Sequence, residues 1–171
     1  MKRFTDAINF AVKSENWLSA LSLSLTMPDI CGRLEDPAMK SGARYVSWFE
    51  KHLQHKYSAL IGPARQHHVF LSGEDCFALR CSYLHEGADD ISTQKIRKAL
   101  DSFHFITPPK NGNIFHTNQS DNKLQLQIDI FSSDIADAVD QWADSVKGNF
   151  AIQERMKNLI VVHNSDHGVR F

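Results

Sequence analysis

Apolar side chains recur every three or four positions through the first hundred residues. Phe4, Ile8, Ala11 and Val12 predict a first helix with Thr5 as its cap. Ser14 opens a second, carrying Trp17, Leu18, Ala20, Leu21, Leu23 and Leu25, so the two form a tight pair. Thr26-Met27-Pro28 predicts another start, because proline fits a first turn, with Gly32 or Glu35-Asp36-Pro37 as its stop. A helix from Ser41 to His55 places Tyr45, Trp48, Phe49 and His52 or Leu53 on one side, and Ile61-Gly62-Pro63 marks a break. Residues 65–71 lead into a helix over 73–86, and beyond Asp89 and Asp90 a further one is predicted from Thr93 to Leu100.

The period then changes. Phe103 to Ile106 ends at Pro108-Pro109, Gly112 turns the chain, and a polar loop from Asn118 to Asn122 precedes Leu124-Gln-Leu-Gln-Ile-Asp-Ile-Phe131, where apolar and polar residues alternate. Residues 103–107, 113–117 and 123–131 therefore predict a small antiparallel sheet with one face on the helices. Ser132 caps a helix with Ile135, Ala138, Val139 and Trp142, and Asn149 caps a last one with Ile152, Met156, Leu159 and Ile160. The expected fold class is mainly α, a helical bundle with a three-stranded antiparallel β-sheet. It forms a single domain over residues 1–171 with a loose tail at 163–171.

Composition narrows the function classes. A chain of 171 residues suits one core and should bury roughly 70% of its unfolded surface. Lys plus Arg number 19 and Asp plus Glu 20, a formal charge of -1, so any nucleic-acid site must be a local groove rather than a basic face. Cys31, Cys76 and Cys81 are odd in number, lie in or beside apolar segments and lack C-x-x-C spacing, which reads as reduced, buried thiols and a cytoplasmic location. The N-terminus lacks a signal-peptide core and no apolar run approaches the ~20 residues of a membrane span, so no membrane association is expected. Trp17, Trp48 and Trp142 read as core anchors. Glycine-rich phosphate loops and G-x-S-x-G are absent. Neither His67-His68 nor His163-x3-His167 makes a convincing ligand set, so no metal and no cofactor are expected.

One segment concentrates chemistry. In Ser72-Gly-Glu-Asp-Cys-Phe-Ala-Leu-Arg80-Cys-Ser-Tyr-Leu-His85-Glu-Gly87, Ser72 caps a helix, with Asp75 completing an acidic form of the capping box, and Gly87 supplies the left-handed stop. Phe77, Ala78, Leu79, Cys81, Tyr83 and Leu84 surround most of the circumference, so the helix is expected to be buried and Arg80 to need a partner or a wet groove. Arg80-x4-His85 resembles the R-x4-6-H motif of HEPN domains, small helical proteins that include many metal-independent ribonucleases of toxin and defence systems. Cys81 departs from the polar residue that commonly follows the family's arginine. The motif's allowed spacing is met a second time at Arg97-x6-His104, without the apolar, capped context.

The resemblance implies a metal-independent endoribonuclease acting on single-stranded RNA as a homodimer, with Arg80 and His85 catalytic, Asp75 and Glu86 accessory, and a protein partner such as an antitoxin. Imidazole, ordinarily titrating at about 6.5, exchanges protons near neutrality, and guanidinium offers a fork of donors to phosphate oxygens. Five residues of ideal helix separate the two side chains by roughly 140° and ~7.5 Å along the axis. The groove is therefore expected only where two copies of the helix meet. The same residues allow another reading: Arg80 pairs with Asp75, Asp29 or Glu74, His85 interacts with the helix C-terminus, and the chain is a non-catalytic helical binding or interaction module.

Overall fold

A computed structural model of the chain describes residues 1–163 and 166; the expectation for the 163–171 tail falls almost wholly outside them. The helices are α1 (Lys2–Lys13), α2 (Trp17–Glu35), α3 (Ser41–His52), α4 (Gly73–Glu86), α5 (Ile128–Ser145) and α6 (Phe150–Lys157). A hairpin, β1 (Ser58–Ile61) with β2 (Gln66–Val69), lies between α3 and α4, and β3 (Ser102–Ile106), β4 (Asn118–Ser120) and β5 (Lys123–Gln127) form a second sheet. The fold is mainly helical, as the periodicity predicts. One buried cluster draws on every helix and the larger sheet, with Trp48, Trp142, Tyr45, Tyr57, Phe49 and Phe131 its largest fully enclosed side chains. Trp17 is only partly buried at its edge.

Pro28 does not open a helix; it lies inside α2, which runs unbroken from Trp17 to Glu35. Lacking an N–H, it leaves the Ser24 carbonyl without its helical donor, a local cost that packing of α2 against α3 and α5 overrides. Helices α2, α3 and α4 approach closely because two glycines carry no side chain. A Cβ on Gly32 would stand 2.8 Å from the Arg44 carbonyl oxygen, and one on Gly73 would stand 2.9 Å from that of Val46. Helix α3 ends at His52 rather than His55, passing into a 3-10 turn over Gln54–Tyr57.

The sheet is mixed, not antiparallel. Strand order is β3-β5-β4, with β3 parallel to β5 and β4 antiparallel to it. After β3 the 107–117 loop carries the chain past one strand position, and β5 then returns through a hairpin to fill the gap. Asp121 takes a left-handed φ of 52° in that turn, closed by the Ser120 and Lys123 pair. Residues 113–117 are not a strand: the Phe115 N–H donates to Gln127 Oε1 and His116 Nδ1 accepts the Gln127 N–H, which pins the segment to the start of α5. Nor does the 123–131 run stay extended. Ile128 and Phe131, three apart, belong to the buried stripe of α5 with Ile135 and Val139, so the helix begins at Ile128 and not at Ser132. Asn149 does cap α6, accepting the Ile152 N–H at 3.1 Å.

The predicted helix from Thr93 to Leu100 is absent, and its replacement explains Asp75. That carboxylate is 2% exposed and accepts the backbone N–H groups of Lys98 at 2.7 Å, Ala99 at 3.1 Å and Leu100 at 3.3 Å. The Lys98, Ala99 and Leu100 N–H groups turn to this carboxylate instead of to the carbonyls of a helix.

Candidate active site

Helix α4 forms over the residues its caps predict. Ser72 Oγ accepts the Asp75 N–H at 3.1 Å and donates to Asp75 Oδ2 at 2.7 Å, while Gly87 closes the other end at a φ of 68°. Its first two turns are enclosed at Asp75, Cys76, Ala78 and Leu79, whereas His85 and Glu86 in the last turn are exposed. The side chain of Arg80 stands at the boundary, 22% exposed.

Arg80 and His85 meet within one copy. Arg80 Nη1 lies 3.4 Å from His85 Nε2, a contact the ideal-helix geometry does not predict and that the long arginine side chain makes possible. Guanidinium has no acceptor, so a hydrogen bond here requires Nε2 to accept, with the ring proton on Nδ1. On its other side Arg80 Nη2 faces Asp29 Oδ2 at 3.9 Å, while Asp29 Oδ1 accepts from Arg44 Nε at 2.8 Å and Ser41 Oγ at 3.1 Å. Among the described residues Arg80 Nε is buried without a hydrogen-bond partner. Of the partners predicted for Arg80, Asp29 is therefore the one in reach. The close approaches at Gly32 and Gly73 hold α2, α3 and α4 in the register that brings Asp29, Arg44 and Arg80 together.

Beneath the pair, the Tyr45 hydroxyl lies 3.3 Å from Cys76 Sγ. Burial pushes the tyrosine well above its ordinary value, with the nearby Arg80 charge working the other way, and burial pushes the Cys76 thiol up to about 12. Neither exchanges protons near neutrality, and His85 is the exposed ring of this cluster.

The two accessory residues part company with the pair. Asp75 is consumed by Ser72 and the 98–100 backbone on the enclosed side of α4, and takes no part in the surface. Glu86 is exposed and accepts from Gln94 Nε2 at 3.4 Å. Arg44 is the residue that sequence reasoning missed. It precedes Trp48 by four on α3, so a cation on the buried side of that helix was its signal.

Among the described residues no group of three or more His, Cys, Asp or Glu is arranged to hold a metal ion. His68 is engaged by Gln119 Oε1 at 2.9 Å, and His167 lies outside the described residues. No described helix is long and apolar enough to cross a membrane. Comparison with protein-family models, curated proteins and solved structures finds no match in any of the three.

Proposed function

We propose that the chain is a HEPN-like, metal-independent endoribonuclease that cleaves single-stranded RNA as a homodimer, a toxin or defence effector of the cytoplasm held in check by a protein partner such as an antitoxin. The observation that carries this reading is the 3.4 Å contact between Arg80 Nη1 and His85 Nε2 at the open end of α4. It sets a guanidinium beside an imidazole, the minimum for transphosphorylation. In that reaction the ribose 2′-oxygen attacks the adjacent phosphorus, the bond from phosphorus to the 5′-oxygen breaks, and a 2′,3′-cyclic phosphate and a 5′-hydroxyl result. Arg80 turns from His85 to the phosphate oxygens and holds them as charge builds, which frees His85 Nε2 to take the 2′-hydroxyl proton, while a second, protonated histidine contributed by the other copy protonates the leaving oxygen.

The test is cleavage of single-stranded RNA by purified protein in excess chelator. Loss of a general acid or base typically costs 10²–10⁴-fold, so His85→Ala and Arg80→Ala should each remove nearly all cleavage while the dimer stays folded. Arg80→Lys should fail as well, because an ammonium keeps the charge but loses the fork. If both alanine variants fold and cleave like the parent, the assignment is wrong.

A second reading, a non-catalytic helical interaction module, is favoured by the Asp29 carboxylate, which ties Arg80 of α4 to Arg44 of α3. On that reading Arg80→Ala lowers stability and no RNA cleavage is seen with the parent.

A further inference from the structure

The outer face of the larger sheet presents two rows of polar side chains in register, with half-buried Ile106 beyond them. Ser102, Lys123 and Ser120 form one cross-strand row, and His104, Gln125 and Asn118 the next. The opposite face, with Phe103, Leu124 and Leu126, is spent on the core. These six residues floor a cleft of ≈ 530 Å³. Asn118 Nδ2 donates to Gln125 Oε1 at 2.9 Å, a bond that does not use the Gln125 amide N–H groups or the Asn118 carbonyl oxygen and so leaves the pair a donor and an acceptor to offer. Such an edge is what a nucleobase reads, and Lys123 beside it supplies a cation for a phosphate.

The cleft joins the end of α4. Asp89 lies on its rim, and the Asp89 carbonyl accepts the Phe103 N–H at 3.0 Å, so residues 89–91 continue the sheet beyond β3. Ser82 Oγ of α4 donates to the next carbonyl, that of Asp90, at 2.6 Å. His85 and Asp89 are four positions apart, a reach of ~14 Å at most, so one short oligonucleotide can touch both.

We propose that this cleft is a nucleotide-binding subsite for the single-stranded RNA flanking the bond cut at Arg80 and His85, an inference that rests on the nuclease reading above. A base lies on the His104, Gln125 and Asn118 row, its phosphate meets Lys123, and the Asp89 carboxylate accepts from a ribose hydroxyl, which favours RNA over DNA.

The test measures anisotropy of a labelled oligoribonucleotide on the His85→Ala protein, which holds the strand intact, alongside cleavage by variants of the parent. Adding Lys123→Ala should weaken binding about tenfold and lower the log–log salt slope by about one. Adding Gln125→Ala should weaken binding and flatten base preference, and Asp89→Asn should narrow the gap between RNA and DNA of one sequence. All three side chains lie on the sheet's outer face or its rim, and unchanged circular dichroism checks the fold. If parent cleavage requires His85 but Lys123→Ala and Gln125→Ala bind as tightly as the background, the subsite is refuted and the nuclease reading stands. If the parent never cleaves yet binding depends on Lys123 and Gln125, the subsite stands and the catalytic assignment falls. If the His85→Ala protein does not bind, the subsite is refuted, and if the parent does not cleave either, both readings fall.

Discussion

Removing the Asp75 carboxylate tests whether that residue is an anchor or a participant in chemistry. It accepts from the Ser72 hydroxyl and from three consecutive backbone N–H groups, at 2.7 to 3.3 Å, with 2% of its surface exposed. Each buried donor left unpaired costs ~1–3 kcal/mol. Lys98 and Ala99 are exposed and can turn to water, whereas Leu100 and Ser72 stay buried, so the four losses do not add in full. Asp75→Ala should therefore destabilise the protein by about 3–5 kcal/mol, and Asp75→Asn, which keeps one carbonyl oxygen, by about 1–2 kcal/mol. Urea unfolding followed by tryptophan fluorescence measures both, and hydrogen exchange at the Leu100 amide should accelerate selectively. Cleavage per folded molecule should be unchanged in Asp75→Asn. An Asp75→Ala midpoint indistinguishable from the parent would refute the anchoring role.

Three further outcomes follow from local geometry. Gly73→Ala should destabilise by about 1–3 kcal/mol despite its better helix propensity, since the new Cβ would sit 2.9 Å from the Val46 carbonyl oxygen; a rise in thermal midpoint would contradict the close approach of α3 and α4. All three cysteines are free, with Cys31 and Cys76 fully buried, so a maleimide should label Cys81 alone in the native protein and all three after unfolding. Burial, partly offset by Asp134 and Asp129, lowers the His116 pKa below its ordinary value, and its Nδ1 already accepts the Gln127 N–H. The unfolded chain binds that proton more readily, so stability is full above the ordinary histidine range and is lost as pH falls through it. Lys56, paired to Asp134 at 2.6 Å, and the Tyr57 ring complete the groups around His116. His52 is lowered in the same sense, so His116→Gln should flatten the decline in thermal midpoint between neutral and mildly acidic pH without abolishing it. An unchanged slope would count against His116 as a contributor.

The sequence was most legible where one element decides its own ends. Ser72 and Gly87 bracket α4 because capping needs only residues within a few positions of each other, and Asn149 begins α6 for the same reason. It was least legible where distant groups compete with local preference. Pro28 reads as a first-turn residue until the packing of α2 against α3 and α5 is known. Thr93 to Leu100 reads as helix until Asp75, many residues upstream, captures its amide groups. The run from Leu124 to Phe131 satisfies both periods, alternation through Leu126 and helical spacing from Ile128, and only the boundary at Gln127 separates them.

The candidate site shows the same division in its chemistry. The spacing of Arg80 and His85 is visible in the chain, but ideal geometry places them on different faces, and their contact depends on a side chain long enough to cross the gap. What steers Arg80 lies elsewhere in the chain, with Asp29 on α2 fixed by Arg44 and Ser41 of α3. An arginine poised between an imidazole at 3.4 Å and a carboxylate at 3.9 Å is firmly tied to neither. On the nuclease reading, a phosphate arriving beside His85 would compete with Asp29 for the same guanidinium, and Asp29 would be the counter-ion that the substrate displaces. Asp29→Asn separates the two roles. If Arg80 serves RNA, the variant should bind RNA at least as tightly as the parent at low salt; if Arg80 serves only to tie α4 to α2, the variant should lose stability with no gain in binding.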